Sequence, residues 1–187
     1  LRQLDVYHWR TDVPEVSADH TRIMTLEQLL ELTTAHHALV RLAIETKHPV
    51  RTAGAVEREL ARLLRRFGIH EDRERVMTMS FSRRAVKRSA SLLPKLSHVY
   101  LVEKQNTHVR NASVPSGATA VGPDVQFVLD DQTLVERNHA KRQQVYVWTV
   151  DDPHVAFAVN MNAMRPHEKP CSEAANFVAA IVKQVNR

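Results

Sequence analysis

A chain of 187 residues, 43% hydrophobic and 25% charged, can bury one ordinary core without a disulfide or a structural metal. The lone cysteine, Cys171, excludes an internal disulfide and fits a reducing, cytoplasmic setting; no apolar run approaches the roughly 18 residues of a membrane helix, and no charged-then-apolar leader is visible after Leu1. The net charge of +5 favours anionic partners, but in "AVERELARLLRRFG" Arg58, Arg62, Arg65 and Arg66 fall largely opposite the apolar stripe, as on a solvated helix face, and without aromatic interleaving or a reading motif no nucleic-acid partner is expected.

Residues 1–22 open irregularly around Pro14. "TLEQLLEL" then starts a helix, with Thr25 as N-cap, Gln28 as its capping-box partner, and Leu26, Leu29 and Leu30 on the buried face. A β-rich run over 40–47 follows. The next helix spans about 53–67, on the spacing of Val56, Leu60, Leu63, Leu64 and Phe67, and Gly68 is placed as its C′ residue.

The alternation continues with a strand at 76–82, the helix "RRAVKRSASLL" stopped by Pro94, and a strand at 98–103. After a looser stretch to Ser116 come a short strand at 118–123, the helix "DDQTLVERNHAKRQ" and "VYVWTV" at 145–150, the clearest strand pattern of all. Asp152 and Pro153 read as the N-cap and N1 pair of another helix. "NMNAMRPHEKP" has no periodicity. Beyond it Ser172 caps a predicted helix with Ala174, Phe177, Val178, Ile181, Val182 and Val185 on one face.

Five short apolar strands alternating with helices predict an α/β fold with a parallel sheet, either a barrel or a doubly wound sheet. Four glycines cannot form a nucleotide-binding GxGxxG or Walker loop, so barrel geometry is favoured. One domain is expected over 1–187, with 161–187 a divergent C-terminal segment carrying the last helix.

The chemistry sits in "VRLAIETKHPV". Residues two apart on a strand face the same side, so Glu45 and Lys47 project together while Ile44 and Thr46 point away. In a parallel α/β protein the C-terminal strand ends carry the active site. A carboxylate there suits a hard cation such as Mg²⁺ or Ca²⁺, and an ammonium suits a phosphoryl oxygen. The plainer alternative is that the two pair with each other as the strand emerges into solvent. Ser80 and Phe81 close another strand. Trp148, among small and β-branched neighbours, is either a ligand wall or an ordinary core aromatic.

"IETKHP", "MSFS", "ATAVGP" and "VYVWTVDD", in this order, resemble the glycerophosphodiester phosphodiesterases, especially their actinobacterial-type members. The resemblance runs over about residues 1–160 and implies a TIM barrel of the phospholipase-C-like phosphodiesterase type. It implies metal-dependent hydrolysis of a small-molecule glycerophosphodiester to an alcohol and glycerol 3-phosphate, with a divalent cation, Mg²⁺ or Ca²⁺, polarising the phosphoryl group. By this resemblance Glu45 is a metal ligand, Lys47 contacts the substrate, and Trp148 lines the pocket near the glycerol moiety.

The family's "HRG", its glutamate and aspartate two apart, and its "HD" motif are not found in this sequence. His8, His20, His36 and His37 do not stand in those contexts, and His48 is not given a catalytic role on its proximity to Lys47 alone, so no catalytic histidine is assigned. Of the closing "TDRP" strand only Arg165-Pro166 survives. The expectation is an incomplete barrel with weak or absent hydrolysis, and the alternatives are non-catalytic phosphate-ester binding or a decayed fragment of the enzyme.

Overall fold

The computed structural model describes residues 23–35, 40–47, 54–103, 114–131, 133–150 and 154–155, together with the backbone of 177–182. Two compact units divide the chain, Leu1–Ala38 and Leu39–Arg187. In the first, helix α1 (Leu26–Ala35) begins in the expected capping box. The Gln28 amide donates to Thr25 Oγ1 at 3.2 Å and the Thr25 amide to Gln28 Oε1 at 2.9 Å, so each residue satisfies the other's exposed donor. Leu30 is fully buried, whereas Leu26 and Leu29 are half-buried.

The second unit runs β1 (Arg41–Thr46), α2 (Ala55–Arg66), β2 (Val76–Ser80), α3 (Arg83–Leu92), β3 (Ser97–Val102), β4 (Ala120–Pro123), α4 (Val125–Asp130), α5 (Thr133–Ala140), β5 (Gln144–Val145) and β6 (Phe177–Val182). Gly68, with φ of 71°, ends α2 in the left-handed conformation that a C′ glycine adopts without strain. All strand pairings are parallel and the sheet order is β5-β4-β3-β2-β1-β6. A doubly wound sheet would reverse direction at a switch point. Here β1 to β5 lie side by side in sequence order. Because parallel crossovers share one hand, that order places the connecting helices on one face of the sheet, as in a barrel.

The period-two alternation of the strands divides the core. Tyr100, Val102 and Val121 face the helices and pack with Val86 of α3, Phe127 and Val128 of α4, and Leu134 and Val135 of α5. Ala43, Met77, Val99, Leu101 and Ala120 form a second cluster on the opposite, inner face, flanked by Met79, Tyr146 and Trp148. Among the described residues the sheet does not close on itself, since β5 and β6 stand at opposite edges.

Three elements depart from the sequence reading. The helix expected around residues 172–185 is a strand over Phe177–Val182, paired with β1 from Arg41↔Phe177 to Thr46↔Val182. "FVAAIV" is rich in aromatic and β-branched residues, a short apolar run satisfies both periods, and the open edge of β1 supplies backbone partners that a helix there would leave unmet. Ser172 and Ala174 lie outside the described residues, as do Asp152 and Pro153 of the other expected cap. The expected strand over 145–150 is regular only at Gln144–Val145, although Tyr146 and Trp148 amides still donate to Val121 and Pro123 carbonyls at 2.9 and 3.2 Å. β4 is four residues long and ends at a proline, which has no amide N–H to return a bond to the facing carbonyl, so the ladder is interrupted there. The helix α4 was not anticipated; Asp124 caps it by accepting the Gln126 amide at 2.8 Å.

Beneath α3, on the helix-facing side of β3, His98 is 2% exposed. Its Nδ1 lies 2.8 Å from Thr78 Oγ1 and its Nε2 3.0 Å from the Leu93 carbonyl, so the neutral ring donates from Nε2 and accepts the Thr78 hydroxyl at Nδ1. Burial pushes the imidazole pKa down, opposed by the hydrogen bond to Leu93. The unfolded chain then binds the proton more readily. This contribution to stability is present above the unfolded pKa of about 6.5 and is lost as pH falls through the lower folded value. His98→Leu, which orphans Thr78 and the Leu93 carbonyl, should cost about 1–3 kcal/mol at neutral pH. Melting temperature measured between about pH 7.5 and about pH 5.5 should fall more for the wild type than for His98→Leu; parallel curves would refute this role.

Candidate active site

β1 delivers Glu45 and Lys47 because its alternation buries Leu42, Ile44 and Thr46 on the helix-facing side and leaves 41, 43, 45 and 47 on the inner one. Ala43 belongs to the inner cluster, and Glu45 pairs in register with Met79, which packs against that cluster. The Glu45 side chain is 14% exposed and that of Lys47 43%, with Lys47 Nζ 3.9 Å from Glu45 Oε1. At that distance and exposure the pair contributes on the order of 0–1 kcal/mol, too little for the strand to carry both charges for stability alone.

Trp148 reaches the same end of the sheet from the chain beyond β5. It bridges Asp124, the residue after β4, and its backbone carbonyl accepts the Val125 amide at 2.7 Å. The indole Nε1 donates to the Gly122 carbonyl at 2.7 Å, which fixes the ring and satisfies its only donor. Gly122 is closely approached by its neighbours: a Cβ there would lie 2.6 Å from Leu101 Cδ2 and 3.0 Å from Val99 Cγ1, so those side chains would have to shift. Trp148 is half-buried against the inner cluster, so it is both a packing aromatic and a wall at the strand ends.

Phe81 completes that wall, and no role was assigned to it from the sequence. It follows β2, continues the inner-facing parity of Met77 and Met79, and stands edge-on to Trp148 with ring centroids 5.3 Å apart and an interplanar angle of 87°. At 39% exposed it is one of few large apolar side chains open to solvent among the described residues. The parity was the available signal; the partner, distant in sequence, was not.

The structure therefore places Glu45, Lys47 and Trp148 on one face and at one end of the sheet. Glu45 is a hard oxygen donor of the kind a divalent cation takes. Among the described residues no group of three or more His, Cys, Asp and Glu side chains could hold a metal ion, so Glu45 with its described neighbours does not make a metal site. Of the four described histidines, His98 is locked on the helix-facing side, His70 lies 3.8 Å from Glu71 beyond the C-terminus of α2, His139 sits in the last turn of α5, and His154 lies exposed six residues after Trp148.

The family model for the glycerophosphoryl diester phosphodiesterase family matches residues 1–173. This chain belongs to that family. Two Mycobacterium tuberculosis proteins, from strains CDC 1551 and H37Rv, each named probable glycerophosphodiester phosphodiesterase 1, are 38% identical over 157 residues, covering 81% of this chain and 57% of theirs. The chain thus spans little more than half the length of the curated relatives it matches. A glycerophosphodiester phosphodiesterase from Parabacteroides distasonis superposes with a TM-score of 0.62 over 88% of this chain and 62% of that one, at 21% identity. An Oleispira antarctica phosphodiesterase, solved in complex with the product sn-glycerol-3-phosphate, superposes with a TM-score of 0.57 over 85% of this chain and 57% of that one, at 16% identity. These likenesses establish the TIM-barrel type of fold, unclosed among the described residues, and the mycobacterial relatives agree with the actinobacterial-type motifs.

If Glu45 and Lys47 serve a ligand rather than each other, the fold should be nearly indifferent to their pairing. A double-mutant cycle with Glu45→Gln and Lys47→Met, read by denaturant unfolding, should return a coupling energy below about 1 kcal/mol. A coupling of about 2 kcal/mol or more would make the pair a structural salt bridge.

Proposed function

We propose that the mouth formed by Glu45, Lys47, Phe81 and Trp148 is the phosphate-ester end of a glycerophosphodiester phosphodiesterase site, in a chain with weak or absent hydrolysis on its own. The observation that carries this reading is the meeting, on one face at the C-terminal ends of parallel strands, of a carboxylate and an ammonium with an edge-to-face aromatic pair. Lys47, the more exposed of the two charges, offers its ammonium to a phosphoryl oxygen. The rings of Trp148 and Phe81 offer apolar surface to the glycerol carbons. Glu45 would contribute one oxygen ligand to the divalent cation that the family uses, Mg²⁺ or Ca²⁺, which would polarise the phosphoryl group when bound.

Family membership and the product complex of the Oleispira relative support the substrate class, a small-molecule glycerophosphodiester cleaved to an alcohol and glycerol 3-phosphate. The reading of residues 1–187 as one partial barrel domain is supported by the family match, which runs through both compact units. Among the described residues no helix is long and apolar enough to cross a membrane, and the lone Cys171 supports a cytoplasmic location.

Weak or absent turnover is expected from the described residues of the mouth together with the missing family motifs of the sequence. Proton transfer to the leaving alkoxide and from the attacking water needs an acid and a base within hydrogen-bond reach, and Glu45 with Lys47 cannot fill both roles while also binding the phosphoryl group. Purified chain assayed with glycerophosphocholine and Mg²⁺ or Ca²⁺ should show little or no release of glycerol 3-phosphate. Turnover that Glu45→Ala abolishes would show a competent site and sink the expectation. Calorimetric titration with glycerol 3-phosphate should show saturable binding, weakened about 10-fold or more by Lys47→Met; no saturable heat from the wild type would leave a decayed fragment as the reading.

A further inference from the structure

We propose that Ser80 is a positioning residue for the mouth, setting the direction of Lys47 in the charged pair and of Phe81 in the aromatic pair through one buried hydroxyl; this rests on the phosphate-ester reading of that site. The β1–β2 register runs to Glu45↔Met79. One residue further, where the ladder runs out, the Thr46 carbonyl accepts a hydrogen bond from Ser80 Oγ at 2.7 Å. Thr46 is the residue between Glu45 and Lys47, and its carbonyl belongs to the peptide plane that leads into Lys47. Holding that oxygen to β2 sets the plane, and with it the direction in which the Lys47 side chain leaves the strand.

The same oxygen acts a second time. Ser80 Oγ accepts the Ser82 amide at 3.2 Å, and Ser82 is the N-cap of α3, its own hydroxyl accepting the Ala85 amide at 3.3 Å. Phe81 lies between two residues tied by this bond, which turns the chain sharply from strand into helix and holds the Phe81 ring out toward Trp148. Ser80 is 2% exposed, so water has little access to compete for either partner. A hydroxyl is the smallest side-chain group that donates once and accepts at the same point, as this junction requires. Ala would leave the Thr46 carbonyl and the Ser82 amide without it, loosening Lys47 on one strand end and Phe81 on the other. Glu45, held within the ladder, should move less.

Full-length wild type, Lys47→Met, Ser80→Ala and Ser80→Thr are titrated calorimetrically with glycerol 3-phosphate, with circular dichroism to check folding. Emission of Trp148 is read in a Trp9→Phe background, where it is the remaining tryptophan of two. Ser80→Ala should weaken binding about 10-fold while staying folded, and Ser80→Thr, which restores the hydroxyl, should bind within about twofold of wild type, as expected for groups that orient direct ligands. Trp148 emission should shift to the red in Ser80→Ala, where the Phe81 edge no longer shields it, and return in Ser80→Thr. Should Ser80→Ala fail to fold, Ser80→Cys keeps the side chain small with a weaker donor and acceptor, and its loss of affinity decides the same point. If Lys47→Met loses binding but the Ser80 variants keep wild-type affinity, the positioning role is overturned and the site reading stands. No saturable binding by the wild type overturns the site reading, and the role of Ser80 with it.

Discussion

The parallel pairing of β1 with β2, in the register that sets Glu45 beside Met79, is the constraint on which the rest of this structure depends. A shift of one residue would turn every side chain of β1 over, sending Glu45 and Lys47 into the helix-facing layer and Ile44 into the inner one. The register is held because Leu42, Ile44 and Thr46 are buried toward the helices, where a carboxylate or an ammonium would have to shed its hydration without compensation. The hydrophobic layer that stabilises the sheet is thus also what aims the charges at its mouth.

From that pairing the division of labour between the two faces follows. The helix-facing layer carries Val86, Phe127, Val128, Leu134 and Val135 against Tyr100, Val102 and Val121, and encloses His98 in a fully hydrogen-bonded position. The inner layer is smaller in its side chains, with Ala43 and Ala120 in its cluster and Trp148 packed against it. Its last row, at the C-terminal strand ends, departs from apolar packing: a partly buried carboxylate, a half-exposed ammonium and an aromatic edge open to solvent. That row lies at the end of the sheet where parallel α/β proteins carry their sites.

Features governed by near neighbours were legible in the sequence. The capping box of Thr25 and Gln28, the left-handed Gly68 and the common side shared by Glu45 and Lys47 each depend on residues within a few positions, where spacing and geometry are tied. Features governed by distant partners were not. "FVAAIV" satisfies helical and strand patterns alike, and the edge of β1, more than 130 positions earlier, accompanies its strand form. The regular part of β5 is short because β4 ends at Pro123, and α4 begins where Asp124 caps it.

The candidate site divides along the same line. By itself the sequence determined that one strand carries a carboxylate and an ammonium on a common side, and that a tryptophan lies in another apolar run, because period-two alternation is a property of the extended backbone. Only the tertiary structure decided that these reach the same mouth, that Phe81 meets Trp148 edge-on at 5.3 Å, and that Ser80 binds the carbonyl between Glu45 and Lys47 across 34 positions of chain. Those contacts are fixed by which strands lie side by side, and parallel neighbours are brought together by crossovers whose packing no local window of residues contains.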